Sequence, residues 1–475
     1  MILRSPFKLN IDLFLFFAVL ASSMIGAQIQ GVSLPKIALI PLEIYLLVLL
    51  KNSSIVMNKE KWMLLGWFTL IVTSSYLNYC VTDSPLKGYK EVLLLNIIQT
   101  LIFQIPLLFL FSGVSDAFEK MKKYILVAAK ISCIWCFVQF VAWYVFFFDF
   151  NHFFFIDLLR GVLGDREWTA LYYDGQISSI RPTGFTHDPA FLSLLLVLGF
   201  VLTNSKYWKY LFFAGTLVAI SRVGIISIVA IFFYQKYKAA SLNLKIGNLV
   251  SGLCVSLVFI FATILLYNNN SFVENQIDKV VFRTVNMTNG KARDGSERHL
   301  YYVPAAVFTC IEMPAYNQIL GTGSRTGGNA LIITGAYKRF FEIIGNSQWN
   351  SWAIECDPAE LLLGMGVSGL SLYYIIIFSF IRKYSKGNLQ DKMLFLVIPF
   401  FGIMYNVSMH PLITLLLIVA SQQPVMQVVN KPKKLSVIQR NLYSNDAKLA
   451  YGKRNCEESS LGKSLYYMDF ATLNR

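Results

Sequence analysis

Apolar residues gather into runs that alternate with short polar connections along most of the chain. The runs fall at about 11–30, 34–50, 62–80, 92–112, 124–148, 190–204, 208–220, 223–235, 248–267, 361–381, 393–409 and 411–425. As a helix, a run of about twenty residues spans a hydrocarbon core about 30 Å thick. In lipid a helix satisfies its own backbone polar groups. The pattern predicts an all-α polytopic membrane protein of about twelve transmembrane helices. Two connections are long, 149–189 and 268–358, and long connections concentrate function. The predicted organisation is residues 1–267 with nine helices and the 149–189 outside loop. An extracytoplasmic loop domain at 268–358, three helices in 359–425 and a basic cytoplasmic tail at 426–475 follow.

Composition sharpens this reading. Hydrophobic residues make up 55% and charged residues 15% of the 475, and mean hydropathy is +0.53. Soluble domains carry about 25% charge, so a soluble enzyme, a disordered chain and a disulfide-stapled secreted fold are excluded. Formal net charge is +15. With the N-terminus and its Arg4 and Lys8 in the cytoplasm, the short inside connections hold Lys51, Lys61, Lys120, Lys122, Lys123, Lys206, Lys209, Lys236, Arg382, Lys383 and Lys392, among others. The short outside connections hold Lys36, Lys87, Lys90 and Arg222. This asymmetry satisfies the positive-inside rule, with both termini cytoplasmic. It assigns the positive excess to membrane lipid rather than nucleic acid. No small-residue cleavage site follows the first run, which reads as a retained anchor.

The segments 210–220 and 223–234 are each about 17 Å long at 1.5 Å per residue, too short to cross alone. One long span with Arg222 near its middle would invert everything downstream. A hairpin turning at Ser221–Arg222 keeps the charge asymmetry and is preferred. A turn at that depth must line a wet, protein-walled cavity. An arginine there faces either an anionic ligand or a structural ion pair.

Several polar stretches carry candidate chemistry. In Arg181-Pro182-Thr183-Gly184-Phe185-Thr186-His187-Asp188-Pro189, Asp188 reads as an N-cap before Pro189. Arg181 suits phosphate or a lipid headgroup. His187 is a weaker candidate base. In 321–328 a glycine-rich turn surrounds Arg325, and it reads as a flexible loop or, less readily, a phosphate cradle. Glu355-Cys356-Asp357-Pro358 precedes a helix. Asp357 is either a helix cap or, like Glu355, a general base toward a sugar hydroxyl. Cys133 and Cys136 have metal or redox spacing but lie in an apolar run and read as packing residues. A Cys310–Cys356 disulfide is left open. No DxD, HExxH, GxSxG or Walker sequence occurs, and the four His are scattered, so no metal or cofactor is expected.

Taken in order, these residues resemble the bacterial O-antigen polymerase and O-antigen ligase superfamily of integral-membrane glycosyltransferases. The resemblance is carried by Arg181 through Pro189, by Ser221-Arg222-Val223-Gly224, and by Arg298, Gly321-x-Gly323, Glu355, Asp357 and Gly366-x-x-Gly369. Glu355-Cys356 stands where ligases of the family carry His-Asn, which favours a polymerase-like member. The resemblance implies polymerisation of oligosaccharide repeat units carried on undecaprenyl diphosphate, as donor and acceptor, at the outer face of the bacterial inner membrane. It implies Arg181, Arg222, Arg298 and Arg325 as diphosphate ligands, with Asp357, Glu355 or His187 receiving the acceptor proton. Transfer of polymer to lipid A core by a ligase is one alternative. A flippase or transporter without covalent chemistry is another, and a chain-length regulator protein is an open partner.

Overall fold

Apolar runs with capped ends fold as helices, and the computed structural model of the chain is mostly helical. It describes residues 11–24, 28–29, 32–50, 55–114, 116–154, 171–172, 179–186, 188–239, 298–341, 353–385 and 387–422. The helices are α1 (Ile11–Ser23), α2 (Leu34–Leu50), α3 (Lys59–Val81), α4 (Tyr89–Leu110), α5 (Ala117–Phe146), α6 (Pro189–Leu202), α7 (Lys206–Val218) and α8 (Arg222–Ala239). Then come α9 (Arg298–Glu312), α10 (Ala315–Leu320), α11 (Gly327–Ile333), α12 (Ala336–Phe341), α13 (Asp357–Tyr384), α14 (Leu389–Gly402) and α15 (Pro411–Ser421). Two small antiparallel ladders join Gln28–Ile29 to Val32–Ser33 and Leu171–Tyr172 to Ser179–Ile180.

A helix stands on each predicted run except 248–267, which lies outside the described residues, as does the predicted tail 426–475. Among the described residues four helices, α3, α4, α5 and α13, are long and apolar enough to cross a membrane, fewer than the twelve spans expected. Others are shorter. α1, α6 and α15 have 13, 14 and 11 residues, about 20 Å or less against a core of about 30 Å.

α13 is bent at Gly366, whose φ of 68° and ψ of −174° leave the helix. A break strands the carbonyls of the preceding turn. Two of these, on Leu363 and Gly364, are taken up by the amides of Thr322 (2.9 Å) and Gly323 (2.8 Å). The crossing is backbone on backbone. A Cβ at Gly321 would lie 2.2 Å from the Gly364 carbonyl carbon, and one at Gly366 2.2 Å from the Ile319 oxygen. Both glycines also have positive φ, where a side chain is disfavoured. Beyond the bend, residues 367–384 make a straight run of about 27 Å.

The α7–α8 pair settles the hairpin question. Lys209 Nζ lies 3.5 Å from Gln235 Oε1, 26 residues away. In one continuous helix that separation would be roughly 39 Å. The chain reverses at Ala219–Ser221, with Ile220 at φ 51°. Ser221 Oγ accepts from the Gly224 amide (3.3 Å), as an N-cap does, and bonds Ser193 Oγ of α6 at 2.7 Å.

Contacts sort the connections into two sets. In one, Lys61 donates to Val56 O and Ser112 Oγ at 2.8 Å, Lys122 pairs with Asp391 at 2.7 Å, Lys120 with Asp12 at 3.2 Å and Lys383 with Glu60 at 3.8 Å. In the other, Asn78, Tyr89 and Asn96 donate to the carbonyls of Gly321, Thr322 and Ser324 at 2.9, 2.6 and 2.5 Å. Arg325 there reaches Met409 O. The main apolar core runs through α1–α8 and α13–α15. A smaller one joins α9, α11 and α12 to Ile354, Ala359 and Leu363, so the described part of 268–358 is built onto the first turns of α13.

Candidate functional site

The second set of connections carries the chemistry. Asp188 caps α6, as its position before Pro189 predicts, accepting from the Ala190 amide at 2.6 Å. The preceding Thr183–Phe185 segment is fastened to α5. Gln139 accepts from the Gly184 amide (2.8 Å), and Phe185 stacks on Trp135 with centroids 4.5 Å apart. Asn151 ties the two together, accepting from the Trp135 indole (2.8 Å) and donating to Thr183 Oγ1 (3.0 Å).

With its segment so held, Arg181 points at the α7–α8 reversal. Its Nε and Nη2 donate to the carbonyls of Ala219 (3.3 Å) and Ile220 (3.1 Å). A cation here complements the negative end of α7. Arg222 begins α8 one residue past Ser221, so the structure brings Arg181 and Arg222 to one turn. Both are half-buried.

The carboxylates separate by environment. Glu360 is 2% exposed and accepts from the amides of Gly327 (3.1 Å) and Ile354 (2.8 Å). Asp357 is fully buried; Oδ1 accepts from the Ser408 amide at 2.9 Å, and the carboxylate packs against Gly402. The expected cap is shifted by one residue. Cys356 holds the N-cap position and Asp357 is the first helical residue. Its carboxylate bonds across to the α14–α15 connection instead of closing its own helix. Glu355, by contrast, is exposed.

The α14–α15 connection, residues 403–410, is where these parts meet. Asn406 Nδ2 reaches Ile354 O at 3.5 Å, Ser408 holds Asp357, Met409 O receives Arg325, and His410 packs on Phe191 at 5.3 Å. Burial is the main cause that raises the Tyr405 phenol, and the charges of Asp188, Arg181, Arg222 and Glu355 act on it more weakly.

The remaining candidates fall elsewhere. Arg325, at φ 60°, turns inward to Met409 O and also feels Glu360. Burial lowers its pKa while Glu360 opposes that effect. The glycine-rich turn around it is neither a loose loop nor an anion cradle. Its amides at Thr322, Gly323 and Gly327 are directed to helix carbonyls and to Glu360. Arg298 opens α9, but its side chain and His187 lie outside the described residues. Cys310 and Cys356 are free thiols in the smaller core. Burial raises both, Cys356 to about 11, so neither is a ready nucleophile. Cys133 and Cys136 direct their thiols to the Leu211 and Gly215 carbonyls of α7 at 3.4 and 3.9 Å and serve packing. Among the described residues no three His, Cys, Asp or Glu gather as a metal set.

An open apolar groove of about 630 Å³ runs along α5 and the start of α7, with Phe137, Val141, Phe146, Phe150 and Trp208 in its lining. Phe150 also packs on Trp135 at 4.8 Å, so the groove adjoins the aromatic stack that carries the Arg181 segment. Chemically, the site offers two guanidiniums at one turn, with apolar surface beside the segment that carries Arg181. No family model matches the chain, and no curated protein matches it in sequence.

Proposed function

We propose that the chain is a glycosyltransferase that polymerises oligosaccharide repeat units carried on a polyprenyl diphosphate. It is read as a bacterial plasma-membrane protein of about twelve spans, with both termini cytoplasmic and the reaction at the outer face. The observation that carries the reading is the placement of Arg181 on the carbonyls of the α7–α8 turn from which Arg222 starts α8. Guanidiniums bind a diphosphate in a bidentate manner and stay charged. The adjoining groove suits a lipid chain.

In the proposed reaction an acceptor sugar hydroxyl attacks the donor's anomeric carbon. Glu355 takes the hydroxyl proton, since it is exposed where Asp357 is buried. The bond from the anomeric carbon to the diphosphate breaks, and the leaving diphosphate keeps the electron pair. Arg181 and Arg222 stabilise the charge that develops on it. The step needs no metal.

The full chain, purified in detergent or nanodiscs, is expected to convert a lipid-linked repeat unit into a ladder of longer products. Arg222→Ala is expected to abolish the ladder without loss of folded protein; a full ladder from that variant would refute the reading. Label moving only to lipid A core would make the enzyme a ligase. Transport of the lipid-linked sugar without any new glycosidic bond would make it a flippase.

A further inference from the structure

Where the chain leaves α10, at 319–324, each backbone carbonyl is met by a side-chain donor. Ile319 O accepts from Ser368 Oγ of α13, and Leu320 O from Ser74 Oγ of α3 at 2.5 Å. Gly321 O receives the side-chain amides of Asn78 on α3 (2.9 Å) and of Asn317 (2.8 Å). Thr322 O receives the Tyr89 hydroxyl at 2.6 Å and Ser324 O the Asn96 amide at 2.5 Å, both from α4. Gly323 O takes the Thr326 hydroxyl at 2.6 Å. Side chains of three neighbouring helices thus do what water does for a loop in solution. Irregular backbone at membrane depth is tolerated only where protein satisfies it in this way. The donors also set the depth. α3 and α4 are both long and apolar enough to cross a membrane. Ser74 stands seven residues before the end of α3 and Asn96 seven after the start of α4, each about 10 Å inside. The segment also carries uncovered apolar surface. Ile319 is 58% exposed, and Tyr316 is exposed on the same short helix. Val367, next to the Gly366 that meets the Ile319 carbonyl, is 52% exposed.

We propose that residues 315–326 form a re-entrant segment, set into the leaflet beneath the α3–α4 connection, with Tyr316 and Ile319 against its acyl chains. The partner is lipid and not a second protein, because the exposed face continues from Ile319 to Val367, on a helix itself long and apolar enough to cross the bilayer. The inference goes beyond the glycosyltransferase reading and does not rest on it; it requires only that α3 and α4 span. Part of the region expected to stand outside the membrane then lies within it.

Tryptophan quenching in the full chain, reconstituted in phosphatidylcholine vesicles, tests this. The probes are Ile319→Trp and, as a control in the exposed α3–α4 connection, Lys87→Trp, each read as emission above that of the parent. Phosphatidylcholine brominated along its acyl chains should remove most of the emission added at position 319 and leave that added at position 87. Iodide in the aqueous phase should do the reverse. Tyr316→Trp, a conservative change on the same helix, gives the same reading if Ile319→Trp does not fold. Emission at position 319 that iodide quenches and brominated lipid does not would place the segment in water and overturn the proposal. Emission that neither agent reaches would mean that protein covers this face, and would overturn it equally.

Discussion

Partly buried cations, Lys61 apart, are held differently in the two sets of connections, whereas the exposed cations of the second set, Lys90 and Arg339, pair with Asp83 and Glu312. In the first, cation meets carboxylate: Lys122 with Asp391 and Glu119, Lys120 with Asp12 and Asp116, Lys383 with Glu60. These pairs neutralise locally and tie neighbouring helices together. In the second, Arg181 and Arg325 donate to backbone carbonyls, while Glu360 and Asp357 accept from backbone amides. There the backbone dipoles hold each charge in position. An ammonium is a compact point charge suited to a single carboxylate, whereas a guanidinium has five donors in a fixed fork. A guanidinium can therefore bond to a carbonyl and still present charge to a ligand. One set of contacts is built for assembly; in the reading advanced above, the other is built for binding.

The comparison can be tested most severely where the second set is assembled. Gly366→Ala places a Cβ 2.2 Å from the Ile319 oxygen at a φ of 68°, a contact that backbone alone cannot relieve. It is expected to abolish accumulation of folded protein, read by size-exclusion chromatography of the detergent extract. A next-larger effect is expected at the lysines. Lys122→Met leaves Asp391 half of its environment, with both side chains 12% exposed. The cost should fall at about 1–3 kcal/mol, between exposed and fully buried pairs, and appear as a lower thermal midpoint with catalytic rate per folded molecule unchanged. Arg222→Lys should do the reverse. Loss of the planar fork is expected to cut glycosyl transfer by roughly tenfold while the midpoint holds. A lysine variant that loses turnover, or an arginine variant that loses stability, would collapse the distinction.

Much of the helical framework was legible because hydrophobic runs and caps are local signals. Asp188 before Pro189 announced the start of α6, and the α7–α8 break followed from two runs too short to span. Other features were hidden for physical reasons. Gly364-Met365-Gly366 reads as helix, since the need for a positive φ at Gly366 arises only from the crossing segment at 319–323. Tyr405 lay within an apolar run whose average hydropathy absorbs a tyrosine, an asparagine and a serine. Helix α14 in fact ends at Gly402, and the polar positions at 405, 406, 408 and 410 were the available signal. Arg181 and Arg222 were visible as unusual cations, but their approach to one turn depends on Gln139 and Asn151 of other segments. Which carboxylate is exposed could not be read at all, because Glu355 and Asp357 differ in environment and not in sequence neighbourhood.

The smallest expected effect lies in the smaller core's surface pair. Arg339 forks onto Glu312, with Nη1 donating to Oε1 at 2.6 Å and Nη2 to the other oxygen. That hydrogen bond, more than the charge alone, holds the Glu312 carboxyl below its ordinary range. A carboxyl depressed in the folded state adds stability above its unfolded pKa, and the gain is lost as pH falls through the folded pKa. The contribution should thus be present at neutral pH and fade in acid below the usual glutamate range. Both groups are at the surface, where solvent screens such pairs. Arg339→Ala is therefore expected to leave the neutral thermal midpoint nearly unmoved, and to bring parent and variant together in acid. A large neutral shift would mean that a cation in this part of the chain is assembling structure through a carboxylate, as the lysines do, and the division of labour between the two residue types would not hold.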